Sequence, residues 1–549
     1  MYPVPANVSN VMDVPMQEVR FTFTDPVEAC LRLLLMGPLG ADERNLAFFP
    51  EAGDLSDYCN GARMKRIHSA LPPGAAALTC TLFFDEILRD QKGFNTGDGG
   101  IVVGGFFRAQ VRESTHAKVS FCTFPKISFP VANRYLGRVT TFRQRLRHFQ
   151  LQSIYECFTR FYRRGGAVVR LQVITAIYIF KMYMGYSLLL CTFDNRFCYV
   201  HNVIPLPLSQ TQTGRWLYIA RAVILAIYAD HPAAVKCTLV GSACVQCFVG
   251  EKQMDNTAAE MVPRTRGATK KKKRTYLLMS TSGTKGCNKN ARTKAKVEGV
   301  NLDVENGFWG RPLDEAWVFG PNPQLDNVYQ NCPQVTLHGM DEGLTSKLNL
   351  GAVEMVVAEL KISRPKWFLT TISRKLDELV LQNVRCHTSN KNVELGGRDA
   401  FKRFRHGIVD YILGERRCDG GWHIAMSRQL HIAICTMKEL RKSTRQTVGR
   451  AYELLFAVHH GLRCSLPAVD VDNYDATIAE LLDVMLEINV DSTDGDCKSP
   501  KYHWPRHWAH TRRELGCAAA EKSLERKLGQ SQKRNFRFTN KQEATCEVI

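Results

Sequence analysis

Apolar residues recur along this chain in two rhythms, and the rhythms divide it. In Asp25–Gly37 the spacing is helical: Asp25 can cap the start, Gly37 can end it, and Val27, Cys30, Leu31 and Leu34 give a buried helix. Ala77–Phe84 and Gly99–Phe107 are short apolar runs of strand type. From Arg143 to Arg164 the helical period returns, with Leu151, Tyr155, Phe158 and Tyr162 on one face and Arg145, Arg160, Arg163 and Arg164 opposite. Gly214–Pro232 also reads as a helix, stopped by Pro232. Beyond Leu344 helical spacing dominates. It places Ile372, Leu376, Leu379 and Val380 together, then Phe401, Phe404, Ile408 and Ile412. His423–Leu462 reads as two long helices joined near Thr444. A last helix begins at a capping Asp472 and buries Ile478, Leu481, Leu482, Met485 and Ile488.

Two stretches break these rhythms. Met261–Val297 has almost no apolar period and is rich in Gly, Thr, Ser, Lys and Arg, which predicts an exposed mobile loop. Gly307–Pro333 is irregular, but Trp309, Trp317 and Phe319 predict a packed loop. Leu171–Phe193 is apolar enough to consider a membrane span, with Lys181 its one charge. Its β-branched and aromatic content and Gly185 favour two buried strands, or a strand and a core helix. The expected fold class is α+β, predominantly helical in the C-terminal half. The expected division is a mixed α/β part over 1–260, a basic flexible loop over 261–300, a mainly helical part over 301–500 and a basic, frayed tail over 501–549.

Composition narrows the class. The 549 residues are 45% hydrophobic and 23% charged, which excludes a largely disordered or fibrous chain. The formal charge is +20. Twelve Lys or Arg and no acid lie between Val262 and Lys296, and the tail adds most of the remaining excess. The charge is therefore expected in a loop and a tail rather than on a folded nucleic-acid groove. The 19 cysteines are scattered. The first ten residues lack a basic start and an apolar core, so no secretory leader is expected and the thiols are read as reduced.

Three constellations carry chemistry. Lys270, Lys271, Lys272, Lys273 and Arg274 form a run whose mutual repulsion favours an extended, solvated strand of nuclear-import type. His431 with Cys435 and His460 with Cys464 are four apart on expected helices, so two packed helices could hold a structural zinc ion. Cys386, His387, Cys418 and His423 are alternative ligands nearby in sequence. Cys244 and Cys247 read as a lone pair, and His503, His507 and His510 as solvated tail residues. Glu359-x-Lys361, with Asp341 upstream, is a weak match to a Mg²⁺-dependent nuclease. A nucleotide-binding glycine loop and a Gly-x-Ser-x-Gly elbow are both missing from the sequence.

Three further stretches, Cys191–Pro207, Lys361–Phe368 and Gly414–Met426, resemble the betaherpesvirus accessory family that includes the cytomegalovirus maribavir-resistance protein and the rodent cytomegalovirus interferon-signalling antagonist. The resemblance implies a non-enzymatic adaptor in the host nucleus, extending to nucleolus and cytoplasm. Such a protein recruits host targets to a cullin-4 ubiquitin ligase through its adaptor subunit, in the service of immune evasion. For some members the resemblance also implies a structural zinc ion. No ligase-contacting residue carries over. Expected partners are these host proteins, a nuclear import receptor and non-specific nucleic acid, with no membrane. The alternatives are the nuclease and a nucleic-acid-binding regulator of viral gene expression.

Overall fold

The computed structural model describes residues 22–40, 42–88, 96–125, 136–171, 215–241, 243–250, 253–254, 256–257, 259–281, 285–309, 317–360, 420–489, 500–518, 524 and 527–528. The fold is α+β. Two compact units share the chain: one takes 1–248, 262–333 and 511–549, the other 249–261 and 334–510. The boundaries fall at 248/249, 261/262, 333/334 and 510/511.

The first unit is built on a six-stranded sheet of order β1-β4-β3-β2-β6-β5. Its strands are β1 (Thr22–Phe23), β2 (Ala75–Leu88), β3 (Thr96–Gly104), β4 (Lys118–Pro125), β5 (Ala167–Leu171) and β6 (Arg215–Ala229). β2, β3 and β4 form an antiparallel meander, and β6 lies parallel to β2. Helix α1 (Pro26–Leu35) starts where the Asp25 carboxylate accepts from the amides of Val27 and Glu28. A basic helix, α2 (Ala62–Ser69), follows. The long helix α3 (Leu136–Arg163) buries Leu151, Ile154, Tyr155 and Phe158, each contributing roughly 1.5–3 kcal/mol. Helix α4 (His231–Thr238) is capped by Asp230, which accepts from Ala233 N at 2.8 Å.

β6 corrects the expectation of a helix over Gly214–Pro232. Both faces of this strand are covered, so its residues from Ala222 to Ala229 are all buried and the two-residue alternation vanishes. The polar exception, Arg221, stacks its guanidinium on Tyr162 at 3.9 Å and Trp317 at 4.5 Å.

The stretch expected as a mobile loop is also ordered. It forms α5 (Arg266–Thr281) and α6 (Lys285–Val297), joined around Tyr276, Ala295 and Val300. The charge excess that placed it in a loop is instead solvated on the outside of a helix pair. The segment 307–309 with 317–333 is packed as expected, with Trp309 and Phe319 buried.

The second unit is helical. A π-helix over Leu337–Leu344 runs into α7 (Thr345–Glu359). α8 (Gly420–Thr436), α9 (Lys442–Arg463) and α10 (Val471–Asn489) follow. The break between α8 and α9 comes at 437–441, slightly before Thr444, and Asp472 lies inside the first turn of α10 rather than at its cap. Leu348, Val356, Leu430, Ile434, Leu455, Leu481 and Met485 are fully buried. Asn349 joins α7 to its neighbours: its Nδ2 donates to His423 O, and its Oδ1 accepts from Ser427 and Tyr452 hydroxyls. No helix among the described residues is long and apolar enough to cross a membrane.

The expected frayed tail is folded over 500–518. One helical turn (Pro500–His503), a 3₁₀ turn (Trp504–His507) and α11 (Trp508–Leu515) follow one another, with Tyr502, Trp504 and Trp508 buried. Pro505 removes one backbone donor and the local helix tightens to 3₁₀. The expected elements over Gln172–Phe193, Ile372–Val380 and Phe401–Ile412 lie outside the described residues. So do Cys386, His387, Cys418, Lys361 and most of the three stretches that carry the family resemblance.

Candidate metal centre

After α4 the chain turns through Leu239, held at φ 58, and Gly241. The segment that follows pairs with 262–264: Phe248 N donates to Val262 O at 3.1 Å, and Arg264 N to Gln246 O at 2.8 Å. This pairing presents Cys244 and Cys247 from one short turn, both fully buried.

Arg264 holds that turn. Its guanidinium is completely buried and donates to the carbonyls of Cys244, Cys247, Glu298 and Gly299. Its flat face lies 4.3 Å from the Phe248 ring centroid. Burial lowers the arginine's pKa, while Tyr329, the two cysteines and Glu298 act in the opposite direction. Gly299 closes the turn beneath it at φ +65, where an added Cβ would sit 2.6 Å from Val240 and 2.9 Å from Ala243. Gly299→Ala is expected to cost about 1–3 kcal/mol, read as a lower urea midpoint by tryptophan fluorescence. An unchanged midpoint would show that the turn tolerates a side chain.

His503 and His507 are four apart on the helical turns around Pro505 and share one face. Both are buried, and their Nε2 atoms lie 3.2 Å apart. Each buried pair has the spacing of one half of a two-Cys, two-His zinc site: Cys244-x-x-Cys247 and His503-x-x-x-His507. In a tetrahedral zinc site with Zn–N of about 2.0–2.1 Å, two nitrogens stand roughly 3.3 Å apart. The observed imidazole separation fits that value.

The ligand set expected from the sequence is not assembled. His431 packs against the rings of Tyr452 and Phe456, and the Cys435 thiol faces Arg445 O. His460 and Cys464 pair with each other at 3.4 Å, at the far end of α9. α8 and α9 are joined by a short connection, so residues near 435 meet residues near 445–449 and the later pair lies one or more turns away. His423 is buried and His510 half-buried.

The two buried pairs were visible separately in the sequence. Cys244-x-x-Cys247 lacked a matching partner nearby, and His503-x-x-x-His507 lay in a basic tail. Tyr502, Trp504 and Trp508 around the histidines were the signal against a solvated tail.

The nuclease residues are otherwise engaged. Glu359 ends α7, a helix rather than a strand, and accepts from Arg441 N and the Thr444 hydroxyl at the start of α9. Burial would raise its pKa, but these hydrogen bonds and the Arg441 charge outweigh it and hold the carboxyl below its ordinary value. Asp341 faces His459 at 3.5 Å and Arg463 at 3.8 Å. The cationic run Lys270–Arg274 is helical, not extended. Lys272 pairs with Glu298, Lys273 donates to Val304 O, and Lys270 lies over the Trp309 ring.

No protein-family model matches the chain, and no curated protein is significantly similar to it.

Proposed function

We propose that this protein is a non-enzymatic adaptor whose fold is fastened by a zinc ion at Cys244, Cys247, His503 and His507. The observation that carries this reading is two buried donor pairs, Cys244 with Cys247 and His503 with His507, at the spacings a two-Cys, two-His zinc site uses. Four protein ligands fill a tetrahedral zinc and leave no position for water or substrate, which is the character of a structural site. The engagement of Glu359 and Asp341 in capping and ion pairs fits the same reading. Bound there, zinc would supply cross-linking of distant chain segments and no reaction chemistry.

The biological setting follows the family it resembles: a viral accessory protein of the host nucleus that brings host proteins to a cullin-4 ubiquitin ligase. Holding a target beside a ligase makes transfer effectively intramolecular. Nuclear import through Lys270–Arg274 would require α5 to unwind or to be read as a helix. Affinity purification of the tagged full-length protein from nuclei, followed by mass spectrometry, is expected to recover the ligase adaptor subunit with at least one further host protein. Recovery of no ligase component would overturn the adaptor reading.

A second reading is favoured by one observation. α5 and α6 carry eleven Lys or Arg and no acid on an ordered helix pair. A nucleic-acid-binding regulator would show affinity falling steeply with salt.

A further inference from the structure

Helix α5 departs from a simple basic surface helix in one respect. Lys270, Arg274, Leu277, Leu278 and Thr281 follow the three- and four-residue spacing of one helix face. Leu277, Leu278 and Met279 are 38%, 59% and 41% exposed. The face forms an open groove of about 440 Å³, lined by Lys270, Lys273, Arg274, Leu277 and Leu278, with Glu305 at its edge. Cations occupy one end of the groove and leucines the other.

The cations are held in place. Lys270 Nζ sits 5.3 Å from the Trp309 ring centroid, and Lys273 Nζ donates to Val304 O at 3.2 Å. Ordering lysines before binding lowers the entropy lost on binding. Neighbouring α6 adds Lys289, Arg292, Lys294 and Lys296 with no acidic side chain.

We propose that this face of α5 docks an acidic, leucine-bearing amphipathic peptide of a partner protein. Charge complementarity selects the acid, and the exposed leucine pair selects an apolar anchor beside it. Nucleic acid satisfies only half of this. Phosphates would use the cations, but they leave Leu277 and Leu278 in water. The proposal deepens the adaptor reading and rests on it for the identity of the occupant as a protein.

The test uses the full chain and fluorescence anisotropy at physiological salt. The probe is a labelled peptide with leucines at i, i+3, i+4 and i+7 and glutamates elsewhere. Three comparison probes are the same peptide with serine for leucine, a duplex DNA, and vesicles of phosphatidylcholine with phosphatidylserine. Wild type is expected to bind the leucine peptide at least tenfold tighter than the serine peptide. Leu278→Glu, at an exposed position that leaves the fold intact, is expected to weaken it at least tenfold; Arg274→Glu gives the same loss from the charged end. Equal affinity for the two peptides overturns the proposal. So does tighter binding to DNA or vesicles, or full affinity in Leu278→Glu. Failure here is separable from failure of the adaptor reading: peptide binding without recovery of a ligase subunit removes the latter alone, and the reverse outcome removes this face alone.

Discussion

Elemental analysis of the purified protein is expected to give one zinc per chain, and Cys247→Ala and His507→Ala are each expected to give none. His431→Ala and Cys464→Ala are expected to keep the metal, because those residues stand on separate stretches of α8 and α9. The contrast distinguishes the ligand set in the fold from the one the spacing suggested. The effect should be large. Structural zinc binding is worth roughly 10–16 kcal/mol in small zinc-dependent domains, and a binding energy of that kind is folding energy. Here much of the surrounding structure has its own core, so the loss will be a fraction of that figure. It should still exceed that of an ordinary core substitution, since two thiols and two imidazoles would remain buried without their ion. A strong chelator is expected to act on wild type as the substitutions do, read as new cleavage in limited proteolysis near 244–264 and 500–510. Full-length protein that is folded, resistant to protease and metal-free would end the zinc reading.

How much of this was legible beforehand depends on what each residue does. The pattern located α1, α3 and α8–α10, because each has one face in a core and one towards water, and it located β2 and β3 as short continuous apolar runs. It failed at β6, where both faces are buried and a strand reads like an apolar helix. It failed at α5 and α6 for the opposite reason. Their apolar face is only Tyr276, Ala291 and Ala295, too narrow to register against eleven cations. The metal ligands failed for a third reason. Cys247 and His503 are far apart in sequence, so neither pair has a matching partner nearby. Arg264 shows the limit most plainly. It counts as one more positive charge in a basic stretch, yet it is buried and holds four carbonyls, so its role is structural and not electrostatic attraction. The idea that the charge excess belongs to flexible appendages is therefore replaced: the excess around 262–296 sits on an ordered helix pair.

Asp326→Ala is expected to produce the largest destabilisation of any single substitution outside the metal centre, about 3–5 kcal/mol. The reason lies in β6. Its register against β2 slips between Cys80 and Thr81, which leaves Leu225 as an extra, bulged residue. The Leu225 carbonyl is taken up by Arg63 Nη1 at 2.7 Å and by Asn331 Nδ2 at 3.0 Å. Arg63 is 1% exposed, and burial pulls its pKa down, against the pull of Asp326 and Glu514. Asp326 lies 3.5 Å from Arg63 Nε and 2.7 Å from Arg66 Nη2. Its other oxygen accepts from Asn322 N, and the loop comes so close at Gly320 that an added Cβ would lie 2.7 Å from the carboxylate. Removing the carboxylate leaves a buried guanidinium whose nearest remaining acid, Glu514, is 4.0 Å away. Glu514→Ala should cost less, because Arg66 is partly exposed and can turn to water. The double variant Arg63→Met with Asp326→Leu should recover part of the loss, since an apolar pair replaces an unpaired charge. The recovery should be incomplete, because the Leu225 carbonyl keeps only its bond from Asn331. Urea unfolding followed by tryptophan fluorescence checks each step. A cost below about 1 kcal/mol for Asp326→Ala would show that water reaches Arg63 and that the bulge is held by Asn331 alone.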